Sequence, residues 1–199
     1  MLKIIGKATS INVRKVLWTC AELGLSFERE EWEPRHAALN PNRMVPVLVD
    51  GDFVLWESNT ICRYLCSHAG GHALLPRQPQ ARARVEQWMD WQATELNNAW
   101  RYAFMALVRQ SPAHGDGAQV AASCASWNRH MGLLDAQLQA TGAWAAGTDF
   151  TLADIVLGLS ANRWLMTPMT RPEYPGLTAW LERLDARAGF RLYGRNGIP

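Results

Sequence analysis

The sequence predicts a two-part fold, with an α/β first half of order βαβ-ββα and an all-helical second half. Short apolar runs with turn signals fill the first half, the segment 69–80 is rich in glycine and proline, and only helical patterns follow it. The 199 residues, 48% of them hydrophobic, can supply the cores of two compact units. We place the boundary in the glycine- and proline-rich segment, which gives the units 1–76 and 81–199.

The first half opens with a strand, a helix and a second strand. Residues 2–6 form an apolar run that ends at glycine, which is typical of a short strand. Apolar residues then recur at the spacing of a helix that ends at Gly24. These residues are Val13, Val16, Leu17 and Cys20. Residues 27–32 predict the second strand, which should run parallel to the first because a full helix connects the two.

A hairpin and a helix complete the first half. The segments 46–50 and 53–56 predict two strands joined by a tight turn at 50–52. Ser58 is a good N-cap for a helix that runs to the Gly70-Gly71 pair. The apolar face of this helix consists of Ile61, Cys62, Leu65 and Cys66.

The second half shows helical patterns only. They cover about residues 81–109 and 119–139, on either side of a segment rich in helix breakers. Thr151 and Asp154 then match the S/T-x-x-acid pattern that caps the start of a helix. The spacing of apolar residues over 177–184 predicts a final amphipathic helix.

Composition excludes several function classes. Lys and Arg total 20 against 18 Asp and Glu, without a long basic run, so no nucleic-acid partner is expected. Charges interrupt the N-terminal segment and no apolar run is long enough to span a bilayer, so we expect no signal peptide, no membrane partner and a cytoplasmic location. The four cysteines lack CxxC or metal-ligand spacing, which predicts reduced thiols and no metal site.

Three blocks of sequence resemble the glutathione S-transferase superfamily, and the resemblance extends over nearly the whole chain. The blocks are SINVRKV at 10–16, LNPNRMVPVLVDGDFVLWES at 39–58 and FTLADIVLG at 150–158. The resemblance is to bacterial serine-type members of theta- or nu-like character. It implies a thioredoxin-like first domain, a helical second domain, a homodimer, and glutathione as co-substrate without a permanently bound cofactor.

The middle block carries the residues that the resemblance assigns to glutathione. It implies a cis Val45–Pro46 bond, with the Val45 backbone pairing with the cysteinyl part of glutathione, and it assigns the γ-glutamyl end to Glu57 and Ser58. Many members have Gly-Lys before the Val-Pro pair, whereas Arg43 and Met44 stand here, so Arg43 is only a candidate substitute for the lysine contact. Helix N-termini favour carboxylates on their own account. In the alternative, Ser58 is merely an N-cap and Glu57 an exposed acid that complements the helix dipole.

The resemblance places the thiol-activating hydroxyl at Ser10, with Asn12 as a second polar contact. A free thiol has a pKa of about 8.5, so lowering it by about two units takes roughly 2.7 kcal/mol of thiolate stabilisation. One or two charge-assisted hydrogen bonds supply that amount, so Ser10 would act as a donor to the thiolate. In the alternative, Thr9, Ser10 and Asn12 only cap the first helix.

The second substrate is expected to meet the helical half. Trp100 and Phe104 form an i, i+4 pair where this superfamily builds its pocket for a hydrophobic electrophile, and Trp164 is predicted to face the same space. Three functions remain open: thiolate attack on a small hydrophobic electrophile, glutathione-dependent disulfide or peroxide reduction, and a non-catalytic glutathione-binding regulatory module.

The expected homodimer packs the first half of each subunit against the helical half of the other. The resemblance implies this arrangement, and ten tryptophans offer more apolar surface than two small cores readily hide. Two helices are the predicted contributors, the one that begins at Glu57-Ser58 and the one that carries Trp88 and Trp91. Gln92 or Glu95 on the same stretch would then lie near the partner's glutathione.

Overall fold

The computed structural model of the protein describes residues 1–70 and 73–199. Its first half contains four short strands and two helices in the predicted order βαβ-ββα. The elements are β1 (Leu2–Ile5), α1 (Ile11–Leu23), β2 (Phe27–Glu30), β3 (Val47–Asp50), β4 (Phe53–Trp56) and α2 (Ser58–His68). A 3₁₀ helix at Pro34–Leu39, which the sequence patterns do not predict, connects β2 to the hairpin.

The four strands form one mixed sheet of order β2-β1-β3-β4. β1 and β2 are parallel, with Leu2 opposite Phe27, because α1 returns the chain to the end where β1 began. β3 runs antiparallel to both β1 and β4. The predicted parallel crossover and the predicted hairpin are both confirmed.

The described part of the second half is helical. Its α-helices are α3 (Pro79–Trp91), α4 (Asn97–Leu107), α5 (Gly117–Thr141), α6 (Leu152–Met166) and α7 (Pro175–Asp185). Two π-helical segments, Gln92–Leu96 and Phe190–Gly194, and a 3₁₀ turn at Pro112–His114 accompany them. This order, together with the mixed sheet, confirms the predicted fold class.

The predicted bounds differ from the structure at three places. The helix predicted over 81–109 contains the π-helical segment 92–96, which separates α3 from α4. Glu57 occupies the N-cap position of α2, so Ser58 is the first helical residue instead of the cap. The same helix ends at His68, just before the predicted stop at Gly70-Gly71, of which Gly71 lies outside the described residues, as does part of the predicted link.

α6 is the central helix of the core. All of its residues from Leu152 to Trp164 are buried, and it packs against α1 and α3. Trp18 on α1 contacts Phe150 and Phe190, which joins the sheet half to the helical half. The cysteines of the first half, Cys20, Cys62 and Cys66, are buried and free, which confirms their predicted role in core packing.

Two features are absent from the part of the chain that the structure describes. Within 1–70 and 73–199, no helix combines the length and the apolar character that crossing a bilayer requires. The same residues hold no group of three or more His, Cys, Asp or Glu side chains arranged to bind a metal ion.

Candidate functional site

Three segments that are far apart in the sequence meet at one edge of the sheet. β1 and β3 are antiparallel with Ile5 opposite Val47, so the residues after β1 lie beside those before β3. Val47 also lies opposite Trp56, so the residues after β4 reach the same edge. The segments are 6–12, 43–46 and 57–58, and they contain every residue that the sequence assigns to glutathione.

The first of these segments ends in the N-terminal turn of α1. Ser10 has the extended backbone of an N-cap, with φ −74° and ψ 124°, but its hydroxyl makes no capping hydrogen bond. The amide of Asn12, which is half-buried like Ser10, also has no partner among the described residues. The first turn carries no acidic side chain. The structure therefore contradicts the alternative in which the Ser10 hydroxyl caps the helix.

Gly6 allows the segments to approach each other closely. Its φ is +149°, and a Cβ placed on it would lie 2.6 Å from a methyl carbon of Val13 and 2.9 Å from the Cβ of Val45. Any side chain would push α1 away from the loop before β3, so only glycine fits here. The contact holds the start of α1 against Val45.

The loop before β3 presents its backbone at this edge. The Val45–Pro46 peptide bond is cis, as the resemblance implies. The backbone N–H and C=O of Val45 have no hydrogen-bond partner among the described residues, so both are free to pair with an extended ligand. Asn40 donates from Nδ2 to the carbonyl of Met44 at 2.9 Å and holds the loop. Arg43 is exposed, with φ +52°, and has no ion pair in the described chain.

The third segment is the start of α2. Glu57 has φ +74° and ψ 109°, a left-handed backbone that is costly for a residue with a Cβ and that is concentrated at functional sites. Its side chain is exposed, whereas Ser58 is 6% exposed. Neither side chain has a hydrogen-bond partner among the described residues. A free hydroxyl at a helix N-terminus, next to an available carboxylate, suits the α-carboxylate and the ammonium of an amino acid.

A buried polar network supports this start of α2 from behind. Nζ of Lys15 donates to Oδ1 of Asn59 at 3.3 Å and to Oε1 of Gln92 at 2.7 Å. Asn59 directly follows Ser58, and its Nδ2 donates to the backbone carbonyl of Met89 at 2.9 Å. Burial lowers the pKa of Lys15 to about 8; the charge of Arg163 acts in the same direction, and those of Cys62 and Glu57 oppose it. The network joins α1, α2 and α3.

Gln92 is fixed inside its own chain. Its Nε2 donates to Oδ1 of Asn97 at 2.9 Å and to Oγ of Ser160 at 3.1 Å, and its side chain is buried. The prediction that Gln92 approaches the glutathione of a partner subunit is therefore wrong, because the amide is used in the Lys15 network. Glu95 is exposed on the same segment, and its role at a partner's site stays a prediction.

The predicted aromatic pair forms one cluster with an arginine. Trp100 and Phe104 meet edge to face, with ring centroids 5.4 Å apart. Nε1 of Trp100 donates to Asn97 at 3.1 Å, which ties the indole to the network of Lys15. The guanidinium of Arg163 lies over both rings. That these rings contact the second substrate stays a prediction.

Trp164 does not belong to this cluster. Its ring stacks on Tyr174 at 5.9 Å, and its Nε1 donates to Oδ1 of Asn128 at 2.9 Å. Together with Arg171 and Tyr174 it lines a separate groove of 540 Å³ between α6 and α7. The expectation that Trp164 shares the space of Trp100 is therefore wrong. Arg163, not Trp164, lies on the side of α6 that faces the aromatic pair.

Sequence reasoning missed the charged and polar residues behind the site. Lys15, Asn59 and Gln92 lie on helical faces whose contacts depend on tertiary packing, so no local signal identified them. Arg163 did carry a signal, because it is the single cation in the largely apolar run of α6. A lone charge in a buried helix requires a partner or a function.

The chain matches two family models, one in each half. Residues 9–68 match the N-terminal domain of glutathione S-transferase, and residues 97–188 match its C-terminal domain. Glutathione S-transferase GstB of Escherichia coli strain K12 is 37% identical over 201 residues, covering 96% of both chains. Glutathione S-transferase 3 of Zea mays is 35% identical, covering 96% of this chain and 91% of the relative.

A solved structure resembles the fold throughout. The theta class glutathione S-transferase of the citrus canker pathogen Xanthomonas axonopodis pv. citri, crystallised with glutathione bound, superposes with a TM-score of 0.91. It is 35% identical and covers 100% of this chain and 99% of its own. The sequence blocks, the mixed sheet with its helical partner domain and these relatives agree: the chain belongs to the glutathione S-transferase superfamily.

Proposed function

We propose that this chain binds glutathione at the shared edge of the sheet, stabilises its thiolate with the Ser10 hydroxyl, and transfers it to an electrophilic carbon. The observation that carries the proposal is the convergence of unused polar groups. These groups are the Ser10 hydroxyl, the Val45 backbone, the Ser58 hydroxyl and the Glu57 carboxylate. They match a γ-glutamyl peptide from its amino-acid end to its thiol.

The chemistry needs few protein groups. The thiol loses its proton to solvent, and the resulting thiolate attacks carbon, so that a C–S bond forms while the leaving group departs or a strained ring opens. Catalysis then comes from a larger thiolate fraction at neutral pH and from holding both reactants together. The buried cysteines do not compete with glutathione, because burial raises the pKa of Cys20 to about 12 and that of Cys62 to about 11.

A panel assay separates the candidate functions. Aryl halides and epoxides report transfer to carbon, whereas peroxides and small disulfides report reduction. We expect turnover of at least one carbon electrophile above the rate without enzyme. Glutathione binding without turnover of any of the four classes would favour the regulatory module, and turnover confined to peroxides or disulfides would favour the reductase.

Replacing Ser58 with alanine should weaken glutathione binding about tenfold, because the substitution removes a hydrogen bond to a charged group. Glu57→Ala should have a similar effect through the lost contact with the ammonium. Titration calorimetry measures both. Ser67→Ala is the matched control, since Ser67 lies at the other end of α2 and its hydroxyl donates a hydrogen bond to the carbonyl of Arg63. Unchanged affinity in both Ser58→Ala and Glu57→Ala would place the γ-glutamyl end elsewhere.

We also propose that the chain forms a two-fold homodimer. Phe53 is 47% exposed on β4, and its ring packs on Tyr64. On the other half, Trp88, Trp91 and Leu133 line an apolar groove of 460 Å³, and Leu133 is 53% exposed. Two apolar faces on different halves suit an interface in which each half covers the other half of the partner.

Sedimentation equilibrium at micromolar concentration should give one species of about twice the 22.3 kDa chain mass. Phe53→Asp should shift it toward the monomer, because the charge would be buried in the interface. Leu192→Asp is the control, as Leu192 is 61% exposed, more than Phe53, but lies outside both faces. A wild-type monomer that still binds glutathione would disprove both the dimer and the shared role of Glu95.

The place of action is proposed from thiol chemistry. All four cysteines are free, which suits a reducing compartment in which glutathione is also kept reduced. We propose the cytoplasm as that compartment and detoxification of reactive electrophiles as the role.

A further inference from the structure

Arg163 is a buried cation without a polar partner. The residue is 4% exposed, and its side chain makes no hydrogen bond or ion pair with any described residue. Its Nε is fully buried and unpaired. The two terminal nitrogens also lack a partner, and they are not sealed from solvent. Arginine side chains in protein interiors are normally paired, so five unused donors at one buried site need a reason.

Aromatic rings hold the guanidinium in place. Its central carbon lies 4.1 Å from the ring centroid of Phe104 and 4.6 Å from that of Trp100. Such cation–π contacts fix the plane of the guanidinium but use none of its N–H donors. The donors therefore remain free at the edge of the planar group, where a carboxylate binds in bidentate fashion.

The residues around Arg163 add positive charge instead of neutralising the charge of its guanidinium. Arg14 and Arg109 are close enough to affect Arg163, and burial together with their charges lowers the pKa of Arg163 to about 9. Arg109 has no ion pair within the described chain, whereas Arg14 donates to the oxygens of Ile198 and Pro199, both at 2.9 Å. Arg109 lies 5.4 Å from the ring of Phe104, on the same aromatic cluster. A carboxylate entering this site would relieve the repulsion among the three cations.

The helix that carries Arg163, α6, packs against α1, whose N-terminus carries the proposed thiolate donor. Arg14 is on the turn of α1 that follows Ser10, and its Nη1 donates to the carbonyl of Ile198 at 2.9 Å. Nδ2 of Asn162, the neighbour of Arg163 on α6, donates to the same carbonyl at 3.2 Å. Arg14 of α1 and Asn162 of α6 are thereby joined through one carbonyl of the C-terminal segment.

We propose that the second substrate carries a carboxylate, which the guanidinium of Arg163 binds while Trp100 and Phe104 contact its apolar part. The inference rests on the proposed transferase function, whose electrophile it narrows to an anionic class. Arg163 would bind the charge and leave the reacting carbon free to face the thiolate at Ser10. Neutral electrophiles of the same shape would bind more weakly.

Binding is tested apart from turnover. The glutathione site is first saturated with S-methylglutathione, so that the benzoate cannot bind at the N-terminus of α2. Calorimetry then compares the affinities of 3,5-dinitrobenzoate and the neutral 3,5-dinitrobenzamide. We expect the acid to bind at least about tenfold more tightly in the wild type, and Arg163→Met to abolish the difference. Equal affinities in the wild type, or a preference that survives Arg163→Met, would overturn the proposal.

Turnover supplies the second readout. The substrates are 4-chloro-3,5-dinitrobenzoate and the matching benzamide, and with each of them the C–S bond forms as chloride leaves. The enzymatic rate with each substrate is divided by the rate of its uncatalysed reaction with glutathione. We expect kcat/KM to favour the acid about tenfold or more, chiefly through KM, and Arg163→Met to reduce the acid to the level of the amide. Turnover of the amide without a preference for the acid would refute the anionic site and leave the transferase intact. Preferential binding of the benzoate without turnover of either would support the anionic site and count against transfer to these aryl chlorides only.

Two further variants guard against a structural explanation. Arg183→Met is the matched control, because Arg183 also lies over a tryptophan, Trp144, and also has an unpaired Nε, but on α7. It should leave the preference for the acid unchanged. Arg163→Lys keeps the charge without the planar fork and should retain part of the preference. If Arg163→Met does not fold, the lysine variant and the wild-type comparison still decide, because equal wild-type affinities would contradict the proposal and so would an undiminished preference in Arg163→Lys.

Discussion

Replacing Ser10 with alanine should lower kcat/KM for a carbon electrophile about 100-fold at pH 6.5 and change glutathione affinity less than about threefold. The hydroxyl is assigned to the thiolate, which forms after binding, and not to the ends of the peptide. Removing one donor to a developing anion in a preorganised site costs about 100- to 1,000-fold in other enzymes. The expected loss lies at the lower end because Asn12 remains.

The pH dependence identifies the cause of that loss. If Ser10 lowers the thiol pKa by about two units from 8.5, about half of the bound glutathione is thiolate at pH 6.5, against about 1% in Ser10→Ala. The rate of the variant should therefore rise toward the wild-type rate as the pH approaches about 9. Ultraviolet titration of the bound thiolate measures the same shift directly.

Two controls isolate the hydroxyl of Ser10. Thr9→Ala removes an exposed hydroxyl from the neighbouring residue and should change neither the rate nor the titration. Asn12→Ala tests the other side chain in the first turn of α1. An unshifted titration in Ser10→Ala, with a shift in Asn12→Ala, would transfer the role of thiolate donor to Asn12.

The local elements were predictable because each depends on neighbouring residues. Strands β3 and β4 follow from apolar runs around Gly51, and α1 follows from a repeating apolar face that ends at Gly24. The approach of the three site segments then follows from strand register, which the hairpin and the parallel crossover determine. The individual site residues follow from the resemblance to the superfamily, because strand register alone does not say which side chains bind a ligand.

The rest of the site depends on contacts that cross the two halves. Lys15 and Gln92 are 77 positions apart, and neither lies in a pattern that distinguishes an inward from an outward polar side chain. The π-helical segment at Gln92 turns that amide inward, and the regular spacing used for prediction assumes no such segment. Trp164 was misplaced for a related reason, because residues 163 and 164 are about 100° apart around α6 and contact different rings.

The cap of α6 shows the same division between local and tertiary information. Thr151 and Asp154 were predicted as a capping pair, and Oδ2 of Asp154 accepts the N–H of Thr151 at 2.9 Å. Its other oxygen accepts the N–H of Ala145 and Nε1 of Trp180, both at 2.9 Å. These two contacts join α6 to the preceding loop and to α7, and no local pattern contains them.

Replacing Asp154 with alanine should therefore destabilise the protein by about 4–6 kcal/mol, far more than the loss of an exposed cap. Asp154 is fully buried, and the substitution leaves the N–H groups of Ala145, Thr151 and Trp180 without acceptors, at roughly 1–3 kcal/mol each. Burial raises the pKa of the Asp154 carboxyl, and the hydrogen bonds from these groups and the Thr151 hydroxyl oppose that rise. A loss of this size approaches the whole stability of a typical domain, about 5–15 kcal/mol.

Urea unfolding followed by circular dichroism measures the loss, and Asp149→Ala provides the baseline. Asp149 lies on the exposed surface five positions earlier and accepts only the Thr148 hydroxyl, so its removal should cost less than about 0.5 kcal/mol. Asp154→Asn keeps one acceptor for Ala145 and Trp180 but turns an NH₂ group toward Thr151. The loss of stability in Asp154→Asn should fall between those of Asp149→Ala and Asp154→Ala. Asp154→Asn can therefore be measured if Asp154→Ala does not fold.

A double-mutant cycle distinguishes unpaired donors from simple loss of packing. Trp180→Phe removes the indole N–H that lacks an acceptor in Asp154→Ala and has a weaker one in Asp154→Asn. The losses of stability in the two single variants should therefore not add. We expect the double variant to be more stable than the sum of the singles predicts, by about 1–2 kcal/mol, since one buried donor no longer lacks an acceptor. Strictly additive losses would mean that Asp154 stabilises the helical half by filling space, and that its hydrogen bond to α7 contributes nothing to the free energy of unfolding.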